Sequence, residues 1–355
     1  MLMLEFMLGK RLRGWDFPIQ NFDDPAAAVN LHPLAVLEET GHIIQPRNAW
    51  NPILTRHDSA VLDMGGVRLA FTTDTYVVKP RFFPGGNIGK LAVYGTVNDL
   101  AMGGAKPQYL SVGLVLEEGY PIEELRRVVE SMRVAAAECG VCFVTGDTKV
   151  VDKGKGDGIF INTAGIGLVP SGVDIGPHRV KAGDVVIVSG DVGRHGIAVM
   201  SVREGLTFET PIESDCASVH GLASALLAGG VDVHCMRDPT RGGLASVLNE
   251  IATDAQVGVE AVESAIPVEE GVAGACEMLG LDPLYVACEG RMVVFVPGGQ
   301  AEQALGLLRS TKGGEGAVRI GTVTAEDKGT VFLRTSMGTK RILDLLSGEQ
   351  LPRIC

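Results

Sequence analysis

The sequence of 355 residues predicts a protein of the α/β or α+β class built as two domains or one large one. Three observations carry this expectation. The length is more than one small core ordinarily serves. Residues 59–169 alternate apolar strand patterns with two long helical patterns, as in a sheet covered by helices. A stretch from Pro170 to Gly183 then separates this half from a second mixed α/β pattern.

In chain order, residues 1–50 are the least regular. Asp23-Asp24-Pro25 offers a short helix start, and His32-Pro33 and Gln45-Pro46 interrupt the pattern beyond it. Ser59–Leu62 and Val67–Val78 read as strands turned at Gly65-Gly66. Asn87 caps a helix that runs to Met102 and closes at Gly103-Gly104. Tyr109–Leu116 is a strand, Pro121–Cys139 a helix, and Val141–Val150 and Ile159–Val169 strands about a polar turn. In the second half, strands are expected at Asp184–Ser189, Val231–Arg237, Val257–Ala265, Arg291–Pro297, Val318–Thr324 and Thr330–Arg334. Helices are expected at Gly196–Arg203, Glu213–Leu227, Pro239–Thr253, Glu269–Leu279 and Gln300–Arg309. The boundaries are therefore 1–50, a divergent segment; 51–169, the first domain; 170–334, the second; and 335–355, a tail. The tail holds an amphipathic turn (Ile342, Leu343, Leu345, Leu346), stops at Gly348 and runs on to Cys355. The twenty residues after Thr335 span at most ~70 Å when extended, so a thiol on this arm can travel.

A hydrophobic share of 46% with only 5% aromatics implies aliphatic cores. The net charge of −12 argues against nucleic acid or an anionic membrane as the main partner. It leaves nucleotide open, because a bound metal reverses the local sign of a site. No apolar run spans a bilayer and no secretory signal is evident, so a cytoplasmic location is expected. The seven cysteines are an odd number in a chain that needs no disulfide staples. Cys139 and Cys142 form a CxxC pair without a second pair or a His cluster, and read as buried structural thiols.

Four acids stand where local rules disfavour them. Asp58 opens a strand, Asp74 interrupts one, Asp99 sits in the last turn of a helix, and Asp147 comes after Gly146 near the end of an apolar strand. Singly each reads as solvated or as a cap. Together they resemble an oxygen-ligand set for Mg²⁺ with phosphates. Asn98 adds an amide, Thr148 a hydroxyl and Lys149 a cation. No G-x-x-x-x-G-K-[ST] loop or kinase signature is present. Asp238-Pro-Thr-Arg-Gly-Gly-Leu244 reads equally as an anion site at a helix start and as a capped helix packed through its glycines. Glu289, before an apolar strand, is a turn residue or a partly buried carboxyl able to move protons.

Phe71-Thr-Thr-Asp-Thr, Val97-Asn-Asp-Leu-Ala-Met-Gly-Gly-Ala105, Gly146-Asp-Thr-Lys-Val150 and the 238–244 motif resemble the superfamily of aminoimidazole ribonucleotide synthetase, selenophosphate synthetase and thiamine phosphate kinase. The ending Leu345-Leu-Ser-Gly-Glu-Gln-Leu-Pro-Arg-Ile-Cys355 narrows the resemblance, over residues 51–355, to the HypE family of hydrogenase maturation proteins. The resemblance implies a two-domain PurM-like fold, with an N-terminal ATP-binding domain that forms a homodimer through its strands. It adds a C-terminal α/β domain and a mobile tail.

The resemblance also implies ATP-dependent dehydration of a carboxamide on the terminal thiol to a thiocyanate, giving ADP and phosphate. The carboxamide comes from the carbamoyltransferase HypF, and the cyanide passes to a HypC–HypD complex for the [NiFe] hydrogenase iron. Carried over residue by residue, Asp58, Asp74, Asn98, Asp99, Asp147 and Thr148 bind ATP. The four aspartates among them hold Mg²⁺. Lys149 and Glu289 orient substrate or move protons, and Cys355 is the carrier. The sequence departs from the family in lacking, within residues 1–50, the His-Gly-Ser-Gly-Gly-type loop that grips phosphates. This departure keeps open the alternative of a carrier or interaction module with weak ATPase; a third alternative, another ATP-dependent enzyme of the superfamily, is opposed by the cysteine tail and by the lack of a reactive N-terminal Cys.

Overall fold

The computed structural model describes residues 57–206 and 211–345, all within one compact unit. The divergent segment 1–50 and the carrier Cys355 lie outside the described residues.

The first half forms a five-stranded sheet in the order β1-β2-β7-β5-β6. Its strands are β1 (Ala60–Met64), β2 (Val67–Tyr76), β5 (Lys106–Glu117), β6 (Cys142–Val151) and β7 (Ile159–Leu168). All neighbours run antiparallel except β5 and β6. A small ribbon of β3 (Phe82–Phe83) and β4 (Gly86–Asn87) precedes helix α1 (Ile88–Met102). Asn87 Oδ1 accepts the Gly89 and Lys90 N–H groups at 2.9 and 3.1 Å, so the sequence-predicted cap forms. Nearly every residue of α1 is buried, because the helix is covered by the sheet, by α2 (Ile122–Cys139) and by the second domain. Helix α2 buries only Val128, Met132, Ala135, Ala136 and Cys139, the single stripe of an outer helix.

Both helices lie on one face of this sheet. The other face carries Phe71, Ile166, Tyr109 and Cys142 in one register row, all exposed. Cys142 is thus a solvent-facing thiol, which corrects the expectation that both cysteines of the CxxC pair are buried; Cys139 is.

The second half forms a seven-stranded sheet in the order β14-β13-β10-β12-β8-β11-β9. It comprises β8 (Asp184–Val188), β9 (Cys235–Arg237), β10 (Gly258–Val262), β11 (Val293–Pro297), β12 (Val318–Thr324), β13 (Val331–Arg334) and β14 (Lys340–Ile342). With it come α3 (Arg194–Arg203), α4 (His220–Ala228), α5 (Gly243–Ala255), α6 (Glu270–Leu279) and α7 (Ala301–Arg309). The two domains share core: Ala101 and Met102 of α1 pack among second-domain side chains, and Val199, Cys216 and Ala287 pack into the first-domain cluster. No described helix is long and apolar enough to cross a membrane.

Three expectations need correction. Helix 213–227 begins only at His220, because Ser214 and Asp215 bond to other parts of the chain. The helix expected from Pro239 begins at Gly243, so Asp238 is not its cap. The tail expected from residue 335 is anchored well beyond that point, and Ile342 lies in a strand rather than a helical turn. Strand β14 pairs with β13, Leu343 is fully buried, and the Leu343 carbonyl accepts Asn249 Nδ2 at 2.8 Å. Tyr285 Oη donates to the Asp344 carbonyl at 2.8 Å.

Candidate active site

Three carboxylates from three elements meet between the domains. Asp58 precedes β1, Asp99 lies in the last turn of α1, and Asp238 comes directly after β9. One carboxylate oxygen from each lies within 4.8 Å of the others. Asp58 pairs with Arg237 Nε at 2.6 Å, and Arg237 also meets Glu250 at 3.1 Å. Asp99 accepts the Thr72 hydroxyl at 2.8 Å.

Burial raises the pKa of all three, and the neighbouring carboxylates raise that of Asp99 further. Asp238 is pushed up to about 6, with Arg237 opposing the rise. Burial and Arg237 push His57 down to about 3, so its ring stays neutral at pH 7. Asp58 Oδ2 is buried without a hydrogen-bond partner among the described residues. Three hard oxygen donors with an orphan among them suit Mg²⁺ better than a soft transition metal. Supplied there, the ion would neutralise phosphate charge.

Asp74 shares the cluster's field and faces the helices: it alternates with Thr72 and Tyr76, which touch α1 side chains. It is open to solvent yet crowded on most sides. The crowding raises its pKa, with the Thr75 N–H at 2.7 Å opposing the rise.

Glu289 is 4% exposed, and its Oε1 has no partner among the described residues. Its carboxyl lies well above the ordinary range through burial first, then Asp238, Asp215 and Asp74, with Arg241 opposing. Arg241 belongs to the turn before α5, where Gly243 has φ +62° and a Cβ would meet the Leu284 and Val286 carbonyl oxygens at 2.7 Å. The glycines of that motif therefore serve close packing.

Other sequence-predicted residues stand elsewhere. Asp147 lies in a register row with Gly113, Asn162 and Thr75, on the sheet face away from the helices. Asp74 occupies the next row on the opposite face, three strand spacings or about 14 Å across the sheet. One chain therefore does not place Asp147 on an ion held by Asp58 and Asp99, which corrects the four-aspartate set. Lys149 pairs with Asp147 at 2.5 Å, both 70% exposed, and this bond holds the Asp147 carboxyl below its usual range. Thr148 lies between them and is exposed. Asn98 is 1% exposed with both ends of its amide engaged by the second domain, so it is not free to bind nucleotide. Sequence reasoning placed Asp238 as a cap and missed Arg237, Thr72 and Asp215. The Arg-Asp pair at 237–238, ending a strand, was the available signal.

Residues 56–169 match the model of the AIR synthase related protein N-terminal domain, and residues 181–334 match the C-terminal one. The Azotobacter vinelandii carbamoyl dehydratase HypE is 51% identical over 309 residues, covering 87% of this chain and 90% of that protein. The chain belongs to the HypE carbamoyl dehydratase family. It is accordingly an enzyme of two PurM-like domains. HypE of Escherichia coli K12 is 47% identical over 315 residues, 87% of this chain and 92% of that one. A solved HypE in complex with ATP superposes with TM-score 0.79 at 48% identity, over 84% of this chain and 90% of that one. A solved HypE–HypF complex matches with TM-score 0.81 at 46% identity, over 88% and 100%. Thiamine monophosphate kinase from Aquifex aeolicus, 17% identical with TM-score 0.60, shares the fold.

Proposed function

We propose that the protein dehydrates an S-carboxamide on its own Cys355 to an S-cyanate, converting ATP to ADP and phosphate. The observation that carries this reading is Glu289: a buried carboxyl with an orphan oxygen, in the field of a carboxylate cluster suited to Mg²⁺. A carboxamide oxygen is a poor leaving group. Its attack on the γ-phosphorus releases ADP and turns that oxygen into part of a phosphate. Loss of the two amide protons then closes the C≡N bond as the C–O bond breaks, so the amide oxygen leaves in phosphate. Asp58, Asp99 and Asp238, with Asp74 beside them, hold the metal and orient the phosphates. Glu289 takes an amide proton: a raised pKa brings a carboxylate closer to the strength a general base needs near neutral pH. A free cysteine thiol titrates at about 8.5, so a carrier thiol needs help from its surroundings to attack near neutral pH.

HypF supplies the carboxamide, and a HypC–HypD complex receives the cyanide for the [NiFe] centre. The enzyme works in the cytoplasm as a homodimer paired through the open face of the first sheet. That pairing brings Asp147 and Lys149 beside a second copy, where they complete the nucleotide site, while Thr148 between them alternates to the other face of the same strand. A carrier with weak ATPase is the competing reading, favoured by the absence of a Gly-rich loop from residues 1–50.

The test is the mass of the C-terminal peptide after incubation with HypF, carbamoyl phosphate and Mg·ATP. A carboxamide on Cys355 that loses one water on adding ATP supports dehydration. A carboxamide that persists favours the carrier. Glu289→Gln should bind ATP normally and slow the loss of water by about 10²–10⁴-fold. An undiminished rate in that variant removes Glu289 from the mechanism.

A further inference from the structure

Residues 214–219 run between the domains without regular structure, and most of their hydrogen bonds leave the segment. The Ser214 N–H donates to the Pro84 carbonyl at 2.9 Å. The two carboxylate oxygens of Asp215 accept the Glu289 and Gly290 N–H groups, each at 3.2 Å. The Ala217 N–H donates to the Glu289 carbonyl at 3.3 Å. Asn98 Nδ2 donates to the Ala217 carbonyl at 3.1 Å, and Asn98 Oδ1 accepts the Val219 N–H at 2.8 Å. Gly290 makes room for this crossing, since a Cβ there would stand 1.9 Å from the Asp215 carbonyl oxygen. On the other side of the turn, Arg291 donates to the Gly290 and Asp191 carbonyls at 3.0 and 2.9 Å. One short strap therefore ties the Glu289 turn to Asn98, the helical neighbour of Asp99.

We infer that Asn98 and Asp215 are positioning residues that, through this strap, fix the Glu289 carboxyl in one place relative to the Asp58–Asp99–Asp238 cluster. The inference rests on the reading of Glu289 as the proton-moving group. Both residues are sequestered, at 1% and 6% exposure. Asp215 has the right end group, because a carboxylate accepts two N–H bonds at once. An amide in its place would turn a donor toward one of those donors. Its charge also faces Glu289, together with those of Asp238 and Asp74 and against that of Arg241.

The experiment uses the full chain, charged with carboxamide by HypF and carbamoyl phosphate. Single-turnover dehydration is followed by mass across pH at saturating Mg·ATP. Asp215→Asn and Asn98→Ala should each slow the step about 10- to 100-fold, as for a misplaced catalytic group, with ATP affinity unchanged. Asp215→Asn should also move the pH midpoint of the rate downward, because a negative charge facing Glu289 is gone. The double variant should be little slower than the worse single one, because both act on the same strap.

A parent rate in both variants overturns the inference. So does a slowed Asp215→Asn whose midpoint stays in place, since general loosening alters the rate without moving the midpoint. Should Asp215→Asn not fold, the rate of Asn98→Ala decides. Glu289→Gln is the control: a parent rate there defeats the reading of Glu289 itself, whereas a slow rate there with parent behaviour in the other two defeats only the strap.

Discussion

The Asp58–Arg237 pair joins the start of the first domain to the end of β9, and its side chains are 8% and 13% exposed. Removing one partner of such a pair leaves an unpaired buried charge, a loss of about 3–5 kcal/mol that exceeds the ~0–1 kcal/mol of surface pairs. Arg237→Ala should therefore lower the unfolding free energy by that much in denaturant titrations, and a change under about 1 kcal/mol would show that water or a proton taken up by Asp58 relieves the lost partner. Asp99→Asn keeps the acceptor for Thr72 but removes one charge of the proposed ligand set. Calorimetry should show weaker Mg·ATP binding for it, and unaltered affinity would take Asp99 out of the metal site.

At the scale of elements, the open face of the first sheet presents Phe71 at 44% exposure and Tyr109 at 47%, with Ile166 between them in register. Edge-to-centre apolar rows of this kind ask for a cover. If the proposed homodimer pairs through this face, Tyr109→Asp should shift the sedimenting species from dimer to monomer with little loss of thermal stability, and a dimer that persists would place the interface elsewhere. Helix α1 was legible almost to the residue, because Asn87 and Gly103 are local signals that nothing tertiary overrides. The 213–227 helix was not, because Ser214 and Asp215 found partners far away in sequence. The separation of Asp147 from Asp74 was hidden for another reason. Alternation within a strand is written in the sequence, whereas strand order and register are set by pairing between distant segments. The acids could thus be nominated as a group from rule-breaking alone, but Asp238 could be exchanged for Asp147 only once the sheet was known.

For the molecule as a whole, the raised carboxyls of the cluster make stability depend on pH with a definite sign. A group whose folded pKa lies above its unfolded value holds a proton longer in the native state. Its contribution is full below the unfolded pKa near 4 and is lost as pH rises through the folded value, about 6 for Asp238. Without metal, the cluster's contribution should therefore decline from about pH 4 to pH 6 and beyond. Mg²⁺ should restore it increasingly across that range, because it replaces the protons. Melting curves with and without Mg²⁺ check this, and a gap that does not widen with pH would separate the cluster from the ion.

The anchoring of the chain at Leu343 and Asp344 sets the length of a leash. Ten residues separate Leu345 from Cys355, a contour of at most ~35 Å whatever path they take. The thiol of Cys355 lies within that radius of Leu345, and a linker of this length corresponds to an effective concentration in about the millimolar range. Dilution therefore does not slow its encounter with a site inside that radius. Lengthening the leash by inserted residues lowers the local concentration gradually, while cutting Asn249 or Tyr285 out of the anchor moves its origin.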